Sequence, residues 1–200
     1  RTNNTRRQLT RGSSRWRYPA SWSPDSRYLA YADRDQRLVI LSVSDGKEAV
    51  ADHAVQFDFN DYTWSPDSAW LAYSKSSDNG NSSIWVYGLA GNRAFPVTED
   101  TYGDGGPTFS SCGKYLFFQS QRDFNLEFSA FEFDYHYGQG SRIYVLTLDG
   151  NIPKLFPKED EREPLPGNSV APSTEGKGGK GREVRKNPVV KIDEAGIFSR

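Results

Sequence analysis

Short apolar runs bounded by Ser, Pro, Asp, Gly or Asn recur from Ser21 to Phe156. Runs of this kind, rich in aromatic and β-branched residues and punctuated by turn formers, predict strands. One set of short strands ends at Trp22, Trp64 and Phe109. A second set covers Tyr28–Ala32, Trp70–Ser74 and Tyr115–Gln119, and a third covers Leu38–Val43, Ile84–Leu89 and Ile143–Leu148. A weaker fourth set is expected near Glu48–Ala51, Ala94–Thr98 and Ile152–Phe156. Leu38-Val39-Ile40-Leu41 and Tyr115-Leu116-Phe117-Phe118 are apolar on both faces. Such strands fit a sheet covered on both sides, whereas a two-layer sandwich exposes one face of each sheet and alternates more strictly.

The strands fall into a repeat. Ser21-Trp22-Ser23-Pro24-Asp25-Ser26-Arg27-Tyr28-Leu29-Ala30-Tyr31 aligns with Thr63-Trp64-Ser65-Pro66-Asp67-Ser68-Ala69-Trp70-Leu71-Ala72-Tyr73, and both align with Thr108-Phe109-Ser110-Ser111-Cys112-Gly113-Lys114-Tyr115-Leu116-Phe117-Phe118. Trp22 and Trp64 are 42 residues apart, and Trp64 and Phe109 are 45 apart. A four-stranded propeller blade takes about 40–45 residues. Pro24 and Pro66 preset φ for the second position of a type I turn, and Asp25 and Asp67 suit the next position, where a carboxylate accepts local backbone N–H groups. The third repeat puts Ser111-Cys112 there and keeps Gly113 at the corner. Ser44-Asp45-Gly46, Ala90-Gly91-Asn92 and Asp149-Gly150-Asn151 supply the later turns.

The predicted fold is therefore all-β: a β-propeller segment of about three four-stranded blades, from a larger ring of six or seven blades. Residues 1–20 are expected to end a preceding blade, with Arg6–Thr10 as its last strand. Blades are expected at 21–62, 63–107 and 108–156, the last with a long hairpin insertion at 121–141. Residues 157–188, rich in Gly, Lys and Glu, predict a disordered insert, and 189–200 a return to the sheet and the start of another blade. Three blades do not close a ring. The chain does not begin with Met, so it reads as excised from something longer. Its uncovered blade faces predict self-association of the isolated chain.

In the insertion, Phe131, Phe133, Tyr135 and Tyr137 alternate with Glu132, Asp134 and His136. That is a strand with one acidic face. It either packs on a neighbouring blade or forms a wall or flap lining a channel, as long loops of compact domains often do.

Composition changes this picture little. Aromatic residues make up 14% of the chain, which favours a pleated, half-buried surface. Net charge is −1, so no overall field draws the chain to nucleic acid or membrane. Arg1, Arg6, Arg7, Arg11, Arg15 and Arg17 make the start locally basic, either as a solvated strand edge or as a nucleic-acid arm. No long apolar run spans a membrane, and no apolar stretch follows the N-terminal arginines as in a signal peptide. The lone Cys112 has no internal partner and fits a reducing, cytoplasmic setting; a signal upstream would make the setting periplasmic or secreted.

No catalytic machinery is expected. Gly176 and Gly181 have phosphate-loop spacing, but Arg182-Glu183 follows where Lys-Ser/Thr is needed. No Gly-x-Ser-x-Gly elbow occurs, and neither His53 nor His136 sits in a hydrolase context. Asp33 with Asp35, and Asp78 with Asn79 and Asn81, lack the spacing of an EF-hand and are assigned to turns. The sequon Asn81-Ser82-Ser83 matters only in a secreted protein. Asp25 and Asp67 repeat one turn position and are no carboxylate pair. The structural turn residues are Trp22, Pro24, Asp25, Trp64, Pro66, Asp67 and Gly113. No metal and no cofactor is expected.

The Trp-Ser-Pro-Asp-Ser-x-x-Leu-Ala-Tyr repeats resemble those of TolB-type, prolyl-oligopeptidase-type and tricorn-type propellers. Phe117-Phe118-Gln119-Ser120-Gln121-Arg122-Asp123-Phe124-Asn125, then Ser129-x-Phe131-Glu132-Phe133-Asp134, Arg142-Ile143-Tyr144 and Val190-Lys191-Ile192-Asp193-x-x-Gly196-Ile197, are similar to the second propeller of tricorn-type serine peptidases. The resemblance covers essentially the whole chain and implies a non-catalytic propeller that gates peptide access to a serine active site further along the polypeptide. It implies peptides, the remaining blades and the peptidase domains as partners, and a hexamer of chains. On it, Arg122, Asp123, Phe124, Asn125, Glu132 and Asp134 are candidate channel residues. The alternative is a TolB-type protein-interaction propeller with no peptidase attached, or, more weakly, the lid of an α/β-hydrolase peptidase.

Overall fold

The computed structural model describes residues 7–10, 15–123, 126–129, 134–137, 140–153, 155 and 187–199. Thirteen strands are described: β1 (Ser21–Trp22), β2 (Tyr28–Ala32), β3 (Arg37–Ser42), β4 (Glu48–His53), β5 (Tyr62–Trp64), β6 (Trp70–Ser76), β7 (Ser82–Gly88), β8 (Arg93–Pro96), β9 (Asp104–Phe109), β10 (Tyr115–Ser120), β11 (Leu126–Ser129), β12 (Asp134–Tyr137) and β13 (Arg142–Thr147). They form antiparallel sheets β1-β2-β3-β4, β5-β6-β7-β8 and β13-β10-β9, with β11-β12 as a separate hairpin. No helix among the described residues is long and apolar enough to cross a membrane.

The three sheets share one register. Trp22 faces Leu29, Trp64 faces Leu71 and Phe109 faces Leu116. One strand further out, Tyr31 faces Val39, Tyr73 faces Trp85 and Phe118 faces Tyr144. Each blade therefore presents matching residues to its predecessor. Trp64, Leu71, Tyr73 and Tyr87 bury against Ala30, Ala32, Leu38 and Ile40 of the first blade. Phe109, Leu116, Phe118 and Leu146 bury against Ala72, Ile84, Val86 and Phe95 of the second. This packing explains why the strands are apolar on both faces.

The corner of each blade is the same device. Ser26, Ser68 and Gly113 donate their amides to the carbonyls of Ser23, Ser65 and Ser110 at 2.9, 2.9 and 3.0 Å, closing a turn. All three have left-handed backbone, with φ of 61°, 62° and 71°. Ser23, Ser65 and Ser110 hydroxyls then accept the amides of Tyr28, Trp70 and Tyr115 at 2.9–3.0 Å. Asp25 and Asp67 each accept a hydroxyl within their turn, and Cys112 stands at the third turn's matching place, 3.3 Å from Ser110 Oγ. Burial alone would raise the Asp25 pKa, but hydrogen bonds from Ser23 and Arg27 hold it below the usual value. The turns also join blades: Asp25 N donates to Ser68 Oγ at 3.1 Å.

The third blade departs from the expected pattern. Its outermost strand was expected to begin at Ile152, yet Ile152 N closes a turn on Asp149 O at 3.0 Å and neither Ile152 nor Pro153 lies in a strand. Pro153 has no N–H for a ladder, and its carbonyl accepts the Tyr115 hydroxyl at 3.2 Å. Residues 7–10 and 187–193 carry no strand either. The later segment instead wedges between the second and third blades. Val190 and Ile197 are buried there, Val190 N donates to Asp67 Oδ2 at 2.7 Å, and Trp70 Nε1 donates to Val190 O at 3.2 Å. Ile197–Ser199 is one turn of 3-10 helix. The expected insert at 157–188 falls, except for 187 and 188, outside the described residues.

Two outcomes follow from these contacts. Ser26→Gly relieves a left-handed strain and raises stability by about 0.5–1 kcal/mol, whereas Ser68→Gly forfeits its inter-blade hydrogen bond and gains nothing; urea unfolding separates them. Asp33 is buried, and Arg37 binds it through Nε at 2.9 Å and through a second guanidinium nitrogen. Burial works to raise the Asp33 pKa, but the Arg37 hydrogen bonds outweigh it and hold the carboxyl below its ordinary value. This stabilisation is complete above the unfolded pKa of about 3.9 and is lost as pH falls through the lower folded value. Asp33→Asn is therefore most costly at neutral pH, and its gap to the parent in unfolding midpoint closes in acid.

Candidate functional site

The topology gives the disc two ends. The Ser-x-x-Ser corners and the later turns at 43–47, 89–92 and 148–151 lie at one end. The loops that precede β1, β5 and β9, and the insertion between β10 and β13, lie at the other. β1, β5 and β9 are each the first strand of their sheet and stand at its edge, so the loops that lead into them share this second end.

Two depressions meet there. One, of about 470 Å³, is lined by Tyr18, Pro19, Asn60, Thr63, Pro107 and Thr108 among others. The second, of about 260 Å³, is lined by Ser82, Gly103, Gly105, Gln119, Gln121 and Ser141 among others. Gly106 borders both. It has φ +61° and donates its amide to Asp61 Oδ2 at 2.5 Å. Asp61 also takes the Ser74 amide at 3.2 Å and the Ser74 hydroxyl, and so ties the second blade to the third. The carboxylates at this mouth are engaged in the fold. Tyr18, Tyr62 and Ser82 hydroxyls there also donate within the fold, to Asp58, Pro19 O and Asp104 O, while Asn60, Thr63, Thr108, Gln119 and Gln121 add uncharged polar side chains to the lining.

Arg122 fixes the root of the insertion. Its guanidinium bonds Asp104 Oδ2 at 3.1 Å, where the Asp104 carboxylate is fully buried at the start of β9. Its Nε donates to Ser120 Oγ at 2.9 Å. It stacks over Tyr144 at 4.5 Å and over Tyr102 and Phe118 at 5.4 Å. Such planar stacking with a forked hydrogen bond is particular to arginine. Asp123 accepts the Tyr144 hydroxyl and lies 3.5 Å from an Arg142 nitrogen. Burial, then Asp123, raise the Tyr144 pKa.

Beyond this root the chain forms a hairpin, with Leu126 opposite Tyr137 and Ser129 opposite Asp134. Asp134 thus lies on β12. Phe124, Asn125 and Glu132 fall outside the described residues, as do Phe131 and Phe133 of the expected alternating strand. Of the turn residues, Trp64 is buried against Tyr28, with rings 6.3 Å apart, and its indole donates to Ser21 O at 3.2 Å. Trp22 is exposed. Asp33 with Asp35, and Asn79 with Asn81, make turn hydrogen bonds to nearby amides at 2.8–3.0 Å.

Asp52, Asp61 and Asp104 do not stand out in the sequence, yet they anchor contacts between or within blades. Tyr73 Oη and Lys75 Nζ both reach Asp52 from the next blade at 2.7 Å. Burial, with Asp52 beside it, pushes the Tyr73 phenol far above its ordinary value. Isolated acids on different strands leave no local spacing signal, so only the packed blades reveal them.

The family described as the tricorn protease second beta propeller domain matches residues 1–200. Among solved structures, the tricorn protease superposes with a TM-score of 0.65 at 19% identity, covering 69% of this chain and 14% of that one. An oligogalacturonate lyase in complex with manganese gives 0.51 at 14% identity, covering 72% of this chain and 41% of that one. The putative TolB from Agrobacterium tumefaciens gives 0.49 at 23% identity, over 71% and 48%. No curated protein matches the chain. The family match and the tricorn protease superposition establish a propeller fold, and the chain spans a small part of the tricorn protease chain.

The buried Asp104 makes the clamp testable. Arg122→Ala strands that carboxylate and costs about 3 kcal/mol in urea unfolding, while adding Asp104→Asn restores part of the loss. Arg122→Lys, which keeps the charge without the planar stack, falls between, and limited proteolysis near 126–137 quickens in the same order.

Proposed function

As a member of the tricorn protease second β-propeller family, this chain is, we propose, a non-catalytic propeller segment that filters peptides on their way to a serine active site elsewhere in the same polypeptide. The observation that supports this reading is the hairpin insertion, rooted by Arg122 on the buried Asp104 of β9, the edge strand of its sheet. A hairpin clamped at an innermost strand forms a wall beside the opening, with Arg122 and Asp123 at its base and Asp134 on its returning strand. Phe124, Asn125 and Glu132 belong to the same insertion and complete the set assigned to the channel. On this reading the channel admits unfolded chains of varied sequence and excludes folded proteins by size. Hydrolysis then takes place away from the folded proteins of the cell.

The partners on this reading are peptides, the remaining blades and the peptidase domains of the polypeptide, assembled as a cytoplasmic hexamer. The test is hydrolysis by the full-length polypeptide of an unfolded oligopeptide and of a folded protein, with and without residues 124–137. The parent cleaves the oligopeptide and spares the folded protein; the shortened form loses that discrimination, while the 200-residue chain alone cleaves neither. An open reading frame that ends after further blades with no peptidase domain, or unchanged discrimination, would overturn the proposal.

A further inference from the structure

The first two corners hold their aspartates alike, with one difference. Oδ1 of each takes the turn serine's hydroxyl and the amide two residues on: Ser23 and Arg27 for Asp25, Ser65 and Ala69 for Asp67. Oδ2 of Asp25 goes to the Arg27 guanidinium at 2.5 Å, whereas Oδ2 of Asp67, which has Ala69 in place of that arginine, goes to Val190 N at 2.7 Å. The next corner along differs too. Ser68 accepts Asp25 N at the first seam, whereas Gly113 stands at the matching place of the second. A Cβ on Gly113 would lie 2.8 Å from Val190 Cγ2, closer than packed side chains tolerate. The second seam thus has an acceptor and a space that the first lacks, and Val190 takes both.

From there the segment runs along the seam toward the other end of the disc. Trp70 Nε1 donates to Val190 O at 3.2 Å, and Asp193 N donates to Leu148 O at 2.8 Å. Glu194 pairs with both terminal nitrogens of Arg93, at the start of β8, at 2.6 and 2.9 Å. Ile197, 1% exposed, shares a core with Val97, Phe118 and Leu146, and Tyr144 packs against it. Phe118 and Tyr144 are two of the rings on which Arg122 stacks. Ile197, Phe198 and Arg122 border one cavity of about 110 Å³. A single segment therefore touches a corner of the second blade and the aromatic seat of Arg122. Residues 187–193 form no strand, so single hydrogen bonds and the side chains of Val190, Ile192 and Ile197 hold the segment down. A segment held in this way opens at lower free energy than the sheets beside it.

We propose that residues 188–198 are a latch whose seating in the second seam sets how firmly the hairpin insertion is rooted. With Val190 in place, Ile197 supports Phe118 and Tyr144, and Arg122 stays stacked on these rings and paired with Asp104. When the segment lifts from the corner, that support leaves with it and the root loosens at the opposite end of the blade. The coupling is reciprocal, so loosening Arg122 also loosens Val190. The latch does not depend on the peptide-filter reading.

Hydrogen exchange of the full-length polypeptide, read by mass spectrometry, tests it. Gly113→Ser gives the third corner the residue that the other two carry with the same left-handed backbone, and sets a Cβ against Val190. It is expected to speed exchange about tenfold in the root segments 119–123 and 140–144 as well as in 188–198, while the first blade keeps its rate. Val190→Ala is expected to do the same, and Gly113→Ser added to it to change nothing further, because the clashing methyl is gone. Arg122→Ala is expected to quicken 188–198 more than the first blade. Exchange that rises only beside residue 113 and in 188–198, with the root at its parent rate, would sink the latch. So would an Arg122→Ala variant in which 188–198 gains no more than the first blade. A Gly113→Ser variant that quickens the first blade equally would do so too, since the corner then acts through overall stability.

Discussion

Burial of each blade's face against the preceding blade is the constraint on which the rest of this structure depends. A twisted four-stranded sheet with apolar residues on both sides is stable only when both sides are covered. Here the second blade is covered on both, by Ala30, Ala32, Leu38 and Ile40 on one side and by Phe109, Leu116, Phe118 and Leu146 on the other. Burial of apolar area supplies the driving force but little direction. Direction comes from a few polar pins between blades: Asp25 to Ser68, Trp64 to Ser21, and Asp52 to Tyr73 and Lys75. A pin fixes the rotation of one blade against the next, and that rotation sets the course of β1, β5 and β9 at the edges of their sheets.

The opposite ends of the disc have been given different work. At the corner end, variation is tolerated where geometry allows it: Ser111-Cys112-Gly113 replaces Pro-Asp-Ser and still makes the same turn, because only the closing Ser and a left-handed fourth residue are required. At the mouth, the departures are additions. The insertion enters and leaves between β10 and β13, and its base is held by an arginine that no other blade repeats. A cation over the matching aromatic recurs in the second blade as Lys75 over Trp85, at 4.7 Å. Arg122 makes the matching contact over Tyr144 from two residues further along, since the register aligns Lys75 with Ser120.

The periodic and local features of the chain were legible as sequence. The all-β propeller fold follows from repeats of blade length, from runs apolar on both faces and from turn residues at fixed offsets, because each is a property of neighbouring residues. The second strands appear at Tyr28–Ala32, Trp70–Ser76 and Tyr115–Ser120, close to where the pattern places them. The fourth strand of the third blade was misjudged at Ile152-Pro153, where one missing N–H outweighs an apolar pattern.

What the amino-acid order could not determine is which distant groups meet. Asp104 and Arg122 are 18 positions apart, and Asp67 and Val190 are 123 apart. Nothing in composition or period links them. The sequence by itself determined the blade, since a strand's two faces, its turns and its repeat length are written locally in hydrophobicity and backbone preference. Only the tertiary structure decided how blades lock, where the insertion is anchored and which buried carboxylates carry partners, because those contacts depend on the rotation between sheets, a quantity set by packing.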